Sequence, residues 1–185
     1  MTGWDEAGSR VFRVITGVSG SPGSLRALRY AADVARLRGA WLVPVLAWTP
    51  PGGELADRQY PSPVLRKVWR EAAEAQLAQA VGLAFGAIPD DLRMKTFTIR
   101  GQAGPVLVTA ACEPGDMIVV GAGARGRLHR LASGRVARYC LASAACPVVA
   151  VPPADLASAS TGLRRWAFRH DAARPQDALA PAGPR

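Results

Sequence analysis

A doubly wound α/β domain with a five-stranded parallel sheet is predicted by three features of the sequence. Five short runs rich in β-branched residues alternate with four stretches at helical spacing, in the order β-α-β-α-β-α-β-α-β. Each helical stretch is long enough to act as a crossover, which makes the strands parallel and puts helices on both faces of the sheet. Glycine-rich turns follow the first and fourth runs, where such sheets hold ligands beyond the carboxyl ends of their strands.

Residues 1–10 are polar and aperiodic, as expected of a flexible N-terminal arm. Val11 to Val18 is a β-branched run stopped by Ser19-Gly20-Ser21-Pro22-Gly23, which reads as a strand and a tight turn. Ser21 is placed to cap a helix with Pro22 at its first position. That helix is expected to reach Arg38, with Leu25, Leu28, Ala32 and Ala35 on one face and Gly39 as its stop. Trp41 to Ala47 is a second buried strand, although its Pro44 has no N–H for a central ladder. A Pro/Gly loop is expected over 48–62. Pro63 then opens the longest helix, to about Phe85, with a predicted inner face of Leu65, Val68, Trp69, Ala72, Ala73, Leu77, Ala80 and Val81.

Leu92 to Ile99 alternates with period 2, as an edge strand with one wet face does. A short helix follows over about Ala103–Cys112, then the turn Glu113-Pro114-Gly115 and a fourth strand from Asp116 to Gly121. A Gly/Arg loop runs to Ser133, a helix spans Gly134 to about Ser143, and Pro147 to Val151 is the fifth strand. The domain therefore occupies residues 11–152. Residues 153–185 shift to Ala, Pro and Arg and are expected to be a disordered tail, with one amphipathic turn at Leu163, Trp166 and Ala167.

The 185 residues are 49% hydrophobic but only 6% aromatic, so the core is expected to be built from small, closely layered side chains. No run approaches the ~18 apolar residues of a spanning helix, and no apolar stretch follows a basic start, so a cytoplasmic protein is expected. Cys112, Cys140 and Cys146 have no paired spacing, and His129 and His170 stand alone. Reduced thiols and no metal are expected.

The formal charge is +9, from 23 Lys plus Arg against 14 Asp plus Glu. Nucleic acid and phosphates therefore stay among the candidate partners. An arginine-for-lysine bias with abundant Ala, Gly and Pro also fits a GC-rich coding sequence, so the position of the arginines matters more than their number. A nucleic-acid role is the weaker reading, because no aromatics interleave with the arginines as stacking platforms.

Gly121-Ala-Gly123-Ala-Arg-Gly126 fits GxGxxG, but it follows the fourth strand and no Asp or Glu occurs between Asp116 and Asp155. The dinucleotide fingerprint needs the first strand and an acid about 20 residues on, so that reading fails. The segment still offers an anion site. Glycines permit close approach, the helix at Gly134-Arg135-Val136 presents free N–H groups, and Arg125, Arg127, Arg130, Arg135 and Arg138 gather nearby. The plainer alternative is a solvated basic loop whose glycines only turn the chain.

These residues carry a family resemblance. DMIVVGAGARGRLHRLASGRVARYCLASAACPVVAV, Asp116 to Val151, resembles the end of a universal stress protein domain. VITGVSGSPGSLRALRYAADVARLRGAWLVPVLAW resembles that family's first strand, helix and second strand. The resemblance covers about residues 11–152. It implies the doubly wound five-stranded fold shared with adenine nucleotide alpha hydrolases, a homodimer joined through the last strand, a regulatory or protective role in stress, and in one branch of the family ATP binding. That branch carries G-x2-G-x9-G-[ST]. Here Gly121 and Gly134 keep their places, but Ala124 replaces the second glycine, Arg135 the Ser/Thr, and Ser19 the acid that ends the first strand.

The nucleotide contacts implied by the resemblance are Gly17, Val18 and Ser19, Val45, Val120, Gly121 and Ala124, and Gly134, Arg135 and Val136. Val45 and Val120 read equally well as plain sheet core. The departures imply an altered adenine-nucleotide pocket without a metal. With no catalytic set in view, slow incidental hydrolysis is the most activity expected. A ligand-free dimer that docks a protein partner is the alternative within the same family.

Overall fold

The computed structural model describes residues 12–87, 89–123 and 134–153. Its strands are β1 (Arg13–Gly17), β2 (Trp41–Trp48), β3 (Phe97–Arg100), β4 (Met117–Gly121) and β5 (Val148–Val151). Its helices are α1 (Pro22–Arg38), α2 (Gly53–Gln59), α3 (Pro63–Phe85), α4 (Ala103–Ala110) and α5 (Arg135–Ser143). All strands are parallel, in the order β3-β2-β1-β4-β5. The direction of winding reverses between β1 and β4, so the crevice above their carboxyl ends is the topological switch point. The expected arm at 1–10, the tail at 153–185 beyond its first residue, and the loop from Ala124 to Ser133 lie outside the described residues.

Alternation along the strands sorts the core into two layers. Val14, Leu42, Leu46, Met117 and Val119 face α1 and α3, while Ile15, Val43, Val45, Ile118 and Val120 face α4 and α5. The first helix buries Ala27, Leu28, Ala31, Ala32 and Ala35. An alanine stripe lets α1 lie close to the sheet, which is how a chain poor in aromatics still fills its interior. The ends of α1 follow from its sequence: the Ser21 side chain accepts from the Ser24 N–H at 3.3 Å, and Gly39 is left-handed at φ 58°.

Pro44 does lie in a central strand, with a visible consequence. Leu42 pairs with Met94 and Val45 with Phe97 in one register, but the ladder lapses between them. Residue 44 should donate to β3 there and has no N–H. The third strand is therefore four residues long and starts at Phe97 rather than Leu92.

Two further expectations are corrected. The loop expected over 48–62 contains α2, a helix of seven residues. The inner face predicted for α3 holds only from Ala73 onward: Ala73, Leu77, Ala80 and Val81 are buried, whereas Leu65 and Val68 are about half exposed. At ~1.5 Å per residue, a 23-residue helix is far longer than the strands it covers, so its first turns project past the sheet.

At the opposite end of the sheet, Arg13 of β1 makes a two-pronged ion pair with Asp116. Nε donates to Oδ1 at 2.8 Å and the second nitrogen to Oδ2 at 2.5 Å. Asp116 also accepts from the Glu113 N–H at 2.9 Å, and its side chain is fully enclosed. The carboxylate beside it raises the Arg13 pKa above its ordinary value against the opposing effect of burial.

Candidate functional site

The switch-point crevice is floored by Gly17 and Gly121, the last residues of β1 and β4. A Cβ on Gly17 would stand 2.8 Å from Leu107 Cδ1 and 3.6 Å from Val120 Cγ1, so α4 packs directly on this strand end. A Cβ on Gly121 would stand 2.9 Å from the Gly23 carbonyl oxygen and 3.4 Å from the Ser24 nitrogen. The N-terminus of α1 thus rests backbone to backbone on the end of β4. Both glycines are explained by close approach.

The turn after β1 is tied by its own hydroxyls. The Val18 N–H donates to the Val45 carbonyl at 2.9 Å, and Val18 is buried. The Ser19 N–H donates to Ser24 Oγ at 3.2 Å, and the Ser24 hydroxyl donates to the Ser21 carbonyl at 2.9 Å. Ser19 Oγ lies 3.0 Å from Ser21 Oγ, and Gln76 Nε2 from α3 donates to the Ser19 carbonyl at 3.2 Å. Ser19 itself is exposed at the crevice mouth. It offers a neutral hydroxyl where the resemblance leads one to expect a carboxylate.

On the far wall, Gly123 and Gly134 have φ of 83° and 90°, a conformation that favours glycine. A Cβ on Gly134 would stand 3.0 Å from the Ala122 carbonyl oxygen, so the start of α5 folds back over the end of β4. Arg135 follows as the first residue of α5 and is exposed, as is Arg138 one turn on, while Val136 is half-buried against the inner layer. The helix carries no side-chain cap at its N-terminus. Its first N–H groups and the Arg135 guanidinium provide the positive end that an anion needs.

Nine of the ten candidate residues can therefore be placed. Gly17 and Val120 are neighbours, Val18 and Val45 are hydrogen-bonded, Gly121 lies in the floor of the crevice and Gly134 on its far wall. Val45 and Val120 are buried in the layer facing α4 and α5. Ala124 lies outside the described residues, as do Arg125, Arg127 and Arg130. Among the described residues, no three His, Cys, Asp or Glu side chains gather as metal ligands. No helix among them is long and apolar enough to cross a membrane.

A charged cluster above the carboxyl ends of β2 and β3 was missed in the sequence. Arg100 donates to Glu54 Oε1 at 3.1 Å, to Glu54 Oε2 at 2.6 Å and to Asp57 Oδ2 at 2.6 Å, and it lies 5.9 Å from the centre of the Trp48 ring. Arg66 of α3 donates to both Asp57 oxygens at 2.9–3.0 Å. The hydrogen bond from Arg100 lowers the Glu54 pKa, and that from Arg66 lowers the Asp57 pKa with help from Arg100. The available signal was the i,i+3 spacing of Glu54 and Asp57, which puts two carboxylates on one helical face.

A model of the universal stress protein family matches residues 11–152. No curated protein matches the chain. Universal stress protein UspA from Lactobacillus plantarum is 25% identical with a TM-score of 0.55, over 77% of this chain and 99% of that one. Hypothetical protein MJ0577 shares the fold at 16% identity and a TM-score of 0.60, over 77% of this chain and 96% of that one. A universal stress protein in complex with cAMP is 25% identical with a TM-score of 0.48, over 77% and 98%. With the five-stranded sheet in place and the family model spanning residues 11–152, the chain belongs to the universal stress protein family.

Proposed function

We propose that the protein is a regulatory or protective member of this family that takes an adenine nucleotide of the ATP type at the β1/β4 switch point. One observation carries the reading: the two glycine-bearing turns and the uncapped N-terminus of α5 meet at that crevice, with Arg135 exposed beside it. Arginine matches phosphate oxygens with two N–H groups, so Arg135 takes over the anchoring role of the missing Ser/Thr hydroxyl. Ser19 contributes a hydroxyl contact in place of a carboxylate, and binding then has no need of Mg2+. The role we assign to the site is binding rather than turnover. A cytoplasmic homodimer joined along β5, which forms one edge of the sheet, completes the reading.

A specific observation favours a second reading. Gly121 is required by packing against the Gly23 backbone, and Gly17 is favoured by packing against the end of the Leu107 side chain, whether or not a ligand binds. A ligand-free interaction module would keep both. Calorimetric titration of ATP, with and without Mg2+, into the protein and an Arg135→Ser variant separates the two. Micromolar binding that is indifferent to Mg2+ and weaker in the variant supports the nucleotide reading. Silence in both proteins overturns it in favour of the interaction module, and binding that appears only in the variant overturns it by showing that Arg135 plugs the site.

A further inference from the structure

β3 forms one edge of the sheet, and a trough lined by α3 and by this edge segment runs beside it. Leu42 donates to the Arg93 carbonyl at 2.8 Å, while Lys95 and Gly101 donate to the Leu42 and Trp48 carbonyls at 3.0 and 2.8 Å. Odd-numbered residues of this segment therefore turn their backbone groups toward β2. Met94, Thr96 and Thr98 turn theirs outward, as parallel pairing requires. Among the described residues these outward groups have no backbone partner.

The side chains of the same three residues form the floor of a cavity of about 480 Å3 beneath the flank of α3. Its roof includes Glu74, Ala78 and Gly82, spaced at i, i+4 and i+8. That stripe is ~12 Å long at the helical rise, and Met94 to Thr98 spans ~13 Å of strand. The rest of this sheet face is apolar, at Val14, Leu42, Leu46 and Val119, whereas β3 contributes threonines. Gly82 lines the trough and is exposed, and a Cβ on it would meet nothing within 4 Å, so a larger side chain has room there.

We propose that this edge takes an extended peptide, added as a sixth strand beside β3. Its main chain pairs with the outward groups of Thr96 and Thr98, and alternate side chains enter the trough below α3. A free edge supplies main-chain affinity and a flanking groove supplies side-chain selection, which together define strand addition. The small roof residues Ala78 and Gly82 select apolar side chains of moderate size at every second position. Glu74 adds a preference for Lys or Arg at the end near Thr98, because among the described residues its carboxylate is tied only by a weak contact, 3.8 Å from Arg70.

The experiment pans a displayed library of random nine-residue peptides on the full chain and measures synthetic copies of the enriched peptides by fluorescence polarisation. The expected peptides alternate apolar and polar residues with a basic residue at one end. Gly82→Leu fills the trough, and Thr98→Pro removes an outward N–H without removing a ladder bond. Each should weaken binding at least tenfold while circular dichroism and thermal midpoint stay those of a folded domain. Glu74→Gln should weaken it two- to fivefold, as expected of an exposed ion pair. If Thr98→Pro does not fold, Gly82→Leu alone decides. The proposal is overturned if no sequence is enriched, if enriched peptides lack alternation, or if Gly82→Leu binds them as well as the parent. It is equally overturned if the variants change the oligomeric state of the protein alone, since the edge would then belong to a second copy of the chain.

Discussion

Gly121→Ala tests whether this crevice is shaped by packing between its own walls. The added Cβ would stand 2.9 Å from the Gly23 carbonyl oxygen and 3.0 Å from the Gly23 carbon, both backbone atoms that cannot rotate away. Relief requires α1 to lift from β4, and overpacking of this kind costs about 1–3 kcal/mol. For a domain of this size, that lowers the thermal midpoint by about 3–10 °C. Gly82→Ala is the matched control, since its Cβ meets nothing within 4 Å in a helix interior. It should stabilise by about 0.5–1 kcal/mol through helix propensity. Differential scanning calorimetry of the two variants beside the parent gives the answer. A Gly121→Ala midpoint equal to or above the parent's would refute the packing argument and return that glycine to the ligand.

Three other outcomes are expected. Asp116→Ala strands the largely buried Arg13 guanidinium and should cost about 3–5 kcal/mol by urea denaturation, whereas Arg13→Met with Asp116→Leu should recover much of it. The lowered pKa values of Glu54 and Asp57 contribute stability that is complete above their ordinary values of 4.5 and 3.8 and is lost as pH falls through the depressed ones. Proteolytic cleavage within Gly53–Gln59 should therefore rise below about pH 4, and an Arg100→Met variant should be cleaved there already at neutral pH. Cys112 is exposed, while burial raises the pKa of Cys140 and Cys146. A thiol reagent at mildly alkaline pH should find one fast site and two slow ones, and Cys112→Ser should abolish the fast phase.

The legible parts of the fold are those written in local chemistry. Ser21-Pro22 and Gly39 mark both ends of α1 because capping and the left-handed stop are side-chain and backbone preferences of those residues. The less legible parts depend on distant partners. Helix α2 lies between Pro51 and Pro61 and is held by Arg66, from the next helix, and by Arg100, which is 43 residues beyond Asp57. Leu65 and Val68 keep the period of a buried face but extend beyond the sheet that would cover them. The site divides in the same way. Its glycines and Arg135 were visible, but the close contact between Gly121 and Gly23 depends on how near α1 lies to β4, which the alanine stripe of α1 hinted at only indirectly.

The most direct test of the nucleotide site is a titration of ATP into the 15N-labelled protein, following backbone amide shifts. The account predicts changes concentrated at Gly17–Ser21, at Ala122 and Gly123, and at Gly134–Val136, saturating at micromolar ligand and unaltered by Mg2+. No change at millimolar ATP, or changes confined to other surfaces, would contradict it.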